Sequence, residues 1–145
     1  MEDENHSIGR WISILYRYRQ SYINRKLESY NIGSGQHIVL MYLQNNGGVR
    51  QEEMSEYLKI DKGSIAKSVK KLEEEGYVKR LVDAEDKRAY KVYLTQKAQE
   101  VMPAVLEAIK SWEDAMVSEL SNEEVEVIDD KLKKMAQKAF EIKTK

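Results

Sequence analysis

Four lysines, Lys62, Lys67, Lys70 and Lys71, share a short stretch with Ser64, Ala66 and Ser68, and further on the run Asp86-Lys87-Arg88 places a guanidinium beside a carboxylate. Ammonium groups, hydroxyls and a methyl are the groups that meet phosphates, base edges and thymine methyls. They read a duplex only when carried on a rod that fits the major groove. A cationic finger beside that rod would reach the backbone or the minor groove. The plainer alternative is an amphipathic helix with a solvated lysine face, followed by a surface ion pair in a turn. The two features standing in immediate succession favour the first reading.

The elements that must position these groups follow from spacing. Ile65, Val69 and Leu72 recur at helical intervals and set a buried direction. Gly63, Lys67, Lys70 and Glu74 then lie opposite, with Ser64, Ala66 and Lys71 on the flanks. Asp61 is a natural N-cap and Gly76 a left-handed C-cap. Glu73, Glu74 and Glu75 crowd the C-terminal end, where the helix dipole disfavours them and phosphate would repel them, so the N-terminal half is expected to enter a groove. A helix over about Glu52 to Leu58, with Met54, Tyr57 and Leu58 facing inward, precedes it across the connector Lys59-Ile60. Two helices so joined make a helix-turn-helix pair. Tyr77 to Val82 and Ala89 to Leu94 are rich in β-branched and aromatic residues and read as a hairpin with Asp83 to Arg88 between them. Asp86, two residues before Arg88, can hold that guanidinium extended.

Upstream, Ile8, Trp11, Ile12, Leu15, Tyr18, Tyr22, Ile23 and Leu27 have helical spacing from Ser7 to about Tyr30. The chain breaks at Asn31 to Gly35, with Ser34 as a cap, before a second helix from roughly Gly35 to Gln44. Val49-Arg50 reads as a short strand. Downstream, Thr95 opens a long helix whose interior proline, Pro103, is expected to kink it. Ser121 to Glu124 form a capping box, and Val125, Ile128, Leu132, Met135 and Ala139 make a heptad-like stripe on the last helix.

Composition bounds the alternatives. The 145 residues are 41% hydrophobic and 34% charged, with one proline and seven glycines, which fits one mostly helical domain. Net charge is −1, but residues 59–91 carry 10 basic against 7 acidic side chains, and both flanks are net acidic. Cation localised on a near-neutral protein favours a defined docking surface over general polyanion binding. No cysteine is present, so disulfides, thiolate metal sites and thiol oxidation are excluded. With only His6 and His37, a histidine-rich zinc sensor is not expected, and no metal or cofactor is anticipated. The acidic start and the lack of a long apolar run suggest no signal peptide, no membrane association and a cytoplasmic location.

Asp61-Lys62-Gly63-Ser64-Ile65-Ala66-Lys67, Leu72-Glu73-Glu74-Glu75-Gly76-Tyr77-Val78, Asp86-Lys87-Arg88 and Leu94-Thr95 together resemble the signature of MarR-type (multiple antibiotic resistance regulator) transcription factors. Gly35-Gln36, Leu40, Met54 and Leu58 fit as well, and the likeness runs from about Ser7 to Phe140. The resemblance implies a mainly α fold with a small β-hairpin wing, a winged helix-turn-helix flanked by N- and C-terminal dimerisation helices. Within one domain of residues 1–145, the DNA-binding lobe would cover about 34–94, and the dimerisation helices about 7–30 and 95–142. It further implies an obligate homodimer that represses by occupying double-stranded promoter DNA, on a palindromic site. Ser64, Ala66 and Lys67 would stand at groove-reading positions, with Lys62, Ser68, Lys70, Lys71, Lys87 and Arg88 adding DNA contacts and Asp86 buttressing the wing. Gly63 departs from the pattern and weakens the first turn by about 1 kcal/mol relative to alanine. Ala66 stands where the family often has threonine.

Such regulators are often released by small phenolic or anionic effectors, and Trp11, Arg17, Tyr30, His37 and Tyr42 form the candidate pocket. The bland reading of those residues is core packing. A winged-helix protein-interaction module without DNA affinity is the alternative function, which would predict an acidic or apolar wing. An enzyme is disfavoured, because no nucleophile–base pair, metal cluster or glycine-rich phosphate loop is evident.

Overall fold

The computed structural model describes residues 7–144, so His6 lies outside the described residues. Helix α1 (Ile8–Leu27) runs into a 3₁₀ turn (Glu28–Tyr30), followed by α2 (Ser34–Asn45), α3 (Gln51–Leu58) and α4 (Lys62–Glu74). Strands β1 (Val78–Val82) and β2 (Tyr90–Leu94) precede α5 (Gln96–Met116) and α6 (Asn122–Thr144). The chain divides within α5 into two compact units, Met1–Ile109 and Lys110–Lys145. Among the described residues, no helix is long and apolar enough to cross a membrane.

The first unit is organised around α4. Ile65, Val69 and Leu72 are buried to 1% exposure or less and pack with Val39, Leu40 and Leu43 of α2 and Met54 of α3. Ile23 and Leu27 of α1, Val78 and Val92 of the hairpin, and Val101, Met102 and Val105 of α5 complete that core. Both ends of α4 are closed by the residues that composition suggests. Asp61 Oδ1 accepts from the Ser64 amide at 2.8 Å, satisfying an amide the first turn leaves orphaned. At the other end Gly76 takes φ +82. Its amide donates to the Glu73 carbonyl and that of Tyr77 to Leu72, a Schellman closure. Gly63 has a local reason: a Cβ there would stand 3.3 Å from the capping Oδ1 of Asp61, so the missing methyl leaves the cap room.

The hairpin pairs Val78 with Leu94, Arg80 with Val92 and Val82 with Tyr90 in antiparallel register. The expected strand at Val49-Arg50 is a single bridge, Val49 to Val92, that lays a third segment along β2. Gly48 turns into it at φ +75, and a side chain there would meet the Tyr93 ring at 2.8 Å.

Two expectations need correction. Tyr57 is 72% exposed, because in a helix of only two turns Met54 takes the inward direction and the Tyr57 ring lies on Tyr42 at 5.1 Å. Ser34 is the first residue of α2 and does not cap it. Gly33 holds the N-cap position, its amide donating to Gln36 Oε1 at 2.6 Å, while the Ser34 amide donates to Asn24 Oδ1 across from α1. Pro103 lies inside α5, which runs from Gln96 to Met116. At the start of α6 the reciprocal capping box of Ser121 and Glu124 forms in full, at 2.9 and 3.1 Å.

Burial separates the consequences of two substitutions. Leu72→Ala should cost about 2–5 kcal/mol through lost transfer energy and a residual cavity. Tyr57→Ala should cost well under that. Urea denaturation of both variants checks the contrast, and comparable losses would contradict the exposed position of Tyr57.

Candidate nucleic-acid interface

Burying Ile65, Val69 and Leu72 leaves Lys62, Ser64, Ala66, Lys67, Lys70 and Lys71 exposed on α4. Ser64 also donates its hydroxyl to Asp61 Oδ2 at 2.9 Å, which keeps its lone pairs available as acceptors. Ser68 is drawn away from this set. It is half-buried and donates to the Gly35 carbonyl at 3.1 Å, fastening α4 to α2. At the C-terminal end Glu73 pairs with Arg80 at 3.2 Å, so one of the three clustered carboxylates is neutralised by the hairpin.

The loop between the strands is closed by the Asp83 amide donating to the Ala89 carbonyl at 2.9 Å. Asp86 Oδ1 accepts from the Arg88 backbone amide at 3.1 Å and from its Nε at 3.2 Å. These two bonds, the backbone one first, hold the Asp86 carboxyl below its ordinary range. The Arg88 side chain is nonetheless 92% exposed, so it is oriented at its base and free at its tip. Lys87 is exposed beside it.

Between α4 and the hairpin lies a cleft of about 420 Å³, and Lys62, Ala66, Arg50, Arg80, Arg88 and Tyr90 line it. Four of those six are cationic, while Glu52 is the one carboxylate on its wall. Arg80 lies over the Tyr90 ring at 5.4 Å, which orders the cation against an aromatic face. The cleft thus joins the N-terminal half of α4 to the loop arginine. Arg50 and Arg80 escape sequence reasoning. Arg80 could have been suspected as a cation alternating along a strand, whereas nothing local marks Arg50.

A family model described as the MarR family matches residues 30–89. A MarR transcriptional regulator from Methanosarcina mazei Go1 is similar over 94% of this chain and 99% of its own, at 41% identity and a TM-score of 0.85. The chain belongs to the MarR family. Its members are transcriptional regulators and not enzymes. The uncharacterized HTH-type transcriptional regulator YybA of Bacillus subtilis is 29% identical over 121 residues, 83% of this chain and 81% of that one. A putative MarR family regulator from Listeria monocytogenes, solved with a 26mer DNA, is 25% identical with a TM-score of 0.85, covering 90% of this chain and 87% of that one.

The five candidate effector residues are spread over α1, the 3₁₀ turn and α2. Trp11 is 53% exposed, with the Arg10 guanidinium 4.6 Å from its ring centroid. Arg17 is exposed on the same helix, roughly 120° around it. Tyr30 exposes its ring, and its carbonyl accepts from the hydroxyl of buried Tyr77 at 2.6 Å. Tyr42 faces Tyr57, roughly 140° around α2 from His37. His37 is 3% exposed, and its Nδ1 has no hydrogen-bond partner among the described residues. Burial first, and then the charge of Arg19, lower its pKa to about 4 against weak opposition from the Ser34 backbone.

That depression has a sign. The folded pKa lies below 6.5, so as pH falls the unfolded chain binds the proton first and stability drains between about 6.5 and about 4. Between pH 7 and 5 the loss should be roughly 2 kcal/mol. Thermal melts across that range should therefore fall, and His37→Gln should flatten them; an unchanged slope in the variant would rule the buried neutral imidazole out as the cause.

Proposed function

We propose that this MarR-family regulator acts as a homodimeric repressor of a palindromic operator. Residues of about 34–94 would form the DNA-reading lobe, with about 7–30 and 95–142 the dimerisation helices. The observation that carries the reading is the convergence of Lys62, Arg80, Arg88 and Arg50 on one cleft beside the exposed face of α4. In this arrangement the N-terminal half of α4 enters the major groove, where Ser64, Ala66 and Lys67 meet base edges, while Lys62, Lys70 and Lys71 lie toward phosphates. Lys87 and Arg88 then reach the backbone or the adjacent minor groove, with Asp86 as the buttress. A protein-interaction module would instead present an acidic or apolar loop, and Lys87 and Arg88 argue against it.

Support for the dimer comes from apolar surface. Among the described residues of α6 none is buried, and Ile128, Leu132, Met135 and Ile142 are exposed along it. Ile8, Trp11, Ile12 and Leu15 are exposed on α1. Apolar stripes of this length are most commonly covered by a two-fold copy. The reading extends to release by a small phenolic or anionic effector near α1 and α2, supported by the unpartnered Nδ1 of buried His37 beside the charge of Arg19. A thermal-shift titration with a phenolic acid should raise the melting temperature of the wild type and leave His37→Gln unmoved; no shift in the wild type removes the effector.

Selection of bound duplexes from a random pool should recover two inverted half-sites about one helical turn apart. With roughly 6–10 phosphates contacted, affinity should fall steeply from low to moderate salt. Arg88→Ala should weaken matched and scrambled duplexes alike and reduce the salt slope by about 1, whereas Lys67→Ala should change which base pairs are preferred. Indifference to duplex DNA in dilute buffer would end the reading.

A further inference from the structure

The two aspartates of the hairpin loop face in different directions. Asp86 serves the exposed arginine beside it. Asp83 is 3% exposed and accepts three hydrogen bonds. Its Oδ1 takes the Glu85 amide at 2.9 Å, which shapes the loop locally. Its Oδ2 takes Nε of Arg50 at 3.1 Å and Nη2 at 2.7 Å, from a residue 33 positions earlier. A forked guanidinium on a buried carboxylate is a directional contact, since both nitrogens must keep their angle to one oxygen.

Arg50 is anchored at its own end. Its backbone carbonyl accepts the Glu53 and Met54 amides that start α3, and its amide donates to Glu53 Oε1 at 3.0 Å. The residue before it, Val49, exchanges hydrogen bonds with Val92 of β2. One side chain therefore connects the helix-turn-helix to the loop that carries Arg88. Beyond its own internal hydrogen bonds the loop has little packing to fix it, for Ala84, Glu85, Lys87 and Arg88 are exposed and Asp86 and Ala89 only half-buried.

We infer that Asp83 and Arg50 form a clasp that positions the wing, setting where Arg88 falls relative to the exposed face of α4. Asp83 touches no DNA in this arrangement; it acts through Arg88 by removing loop freedom that binding would otherwise have to remove. The inference rests on the reading of Arg88 as a DNA contact, and it predicts coupling between two residues that share no bond in the structure.

A double-mutant cycle on the full-length protein tests it, with affinity for a random-sequence duplex measured in dilute buffer for the wild type, Asp83→Asn, Arg88→Ala and the pair. Asp83→Asn alone should weaken binding on the order of tenfold, and by less than about twofold once Arg88 is alanine. The salt slope of Asp83→Asn should fall toward that of Arg88→Ala, which a purely structural loss would not produce. Should Asp83→Asn fail to fold, Arg50→Lys keeps the charge on a half-buried side chain while breaking the fork, and the same sub-additivity is expected. Losses that multiply overturn the clasp and leave DNA binding standing; a wild type that ignores the duplex overturns both.

Discussion

Everything in the first unit depends on the burial of three side chains on one face of α4. Ile65, Val69 and Leu72 lock the helix into the space between α2, α3 and the hairpin, and in doing so fix its rotation about its own axis. An α-helix so seated has no freedom to choose which residues it shows. Lys62, Ala66, Lys67 and Lys70 are exposed because these three are not, and the cleft beside the hairpin has Lys62 and Ala66 on its α4 wall as a result. The candidate interface is thus a by-product of core packing, and its precision is inherited from the close packing of that core.

What could be read from the residues alone was mostly local. The N-cap at Asp61, the left-handed Gly76 and the Ser121 to Glu124 box declare themselves within four positions, because a cap bonds to amides one turn away. The amphipathic spacing of α4 is equally self-contained. Errors arose where a partner from elsewhere decided the outcome. Ser34 has the right chemistry for a cap, yet Asn24 of α1 already accepts from its amide. Ser68 belongs by spacing to the exposed set and is claimed by the Gly35 carbonyl. Tyr57 has the hydrophobicity for a core, but α3 is too short to turn more than a narrow face inward.

The hairpin shows the same division more sharply. Asp86 and Arg88 are two residues apart, and their pairing is visible in sequence. Asp83 and Arg50 are separated by the whole helix-turn-helix, and no periodicity connects them. Arg80 likewise finds Glu73 and Tyr90 only after the strand has folded back on the end of α4. A wing looks like an independent appendage on paper. In the fold, it is joined to the rest through side chains whose sequence positions give no warning.

The closure of α4 at Gly76 carries a mechanical implication. Tyr77 gives its hydroxyl to the Tyr30 carbonyl, Thr95 gives its own to the Gly76 carbonyl at 2.7 Å, and Lys97 donates to the Glu75 carbonyl at 2.6 Å. Two other segments of the chain, at Tyr30 and at Thr95 to Lys97, grip this end of the helix, so that end acts as a fulcrum. At 1.5 Å of rise per residue, Lys62 sits about 20 Å up the lever. A tilt of roughly 5° there sweeps it through almost 2 Å, more than half the length of a hydrogen bond. Small adjustments at the gripped end are therefore magnified where the lysines stand.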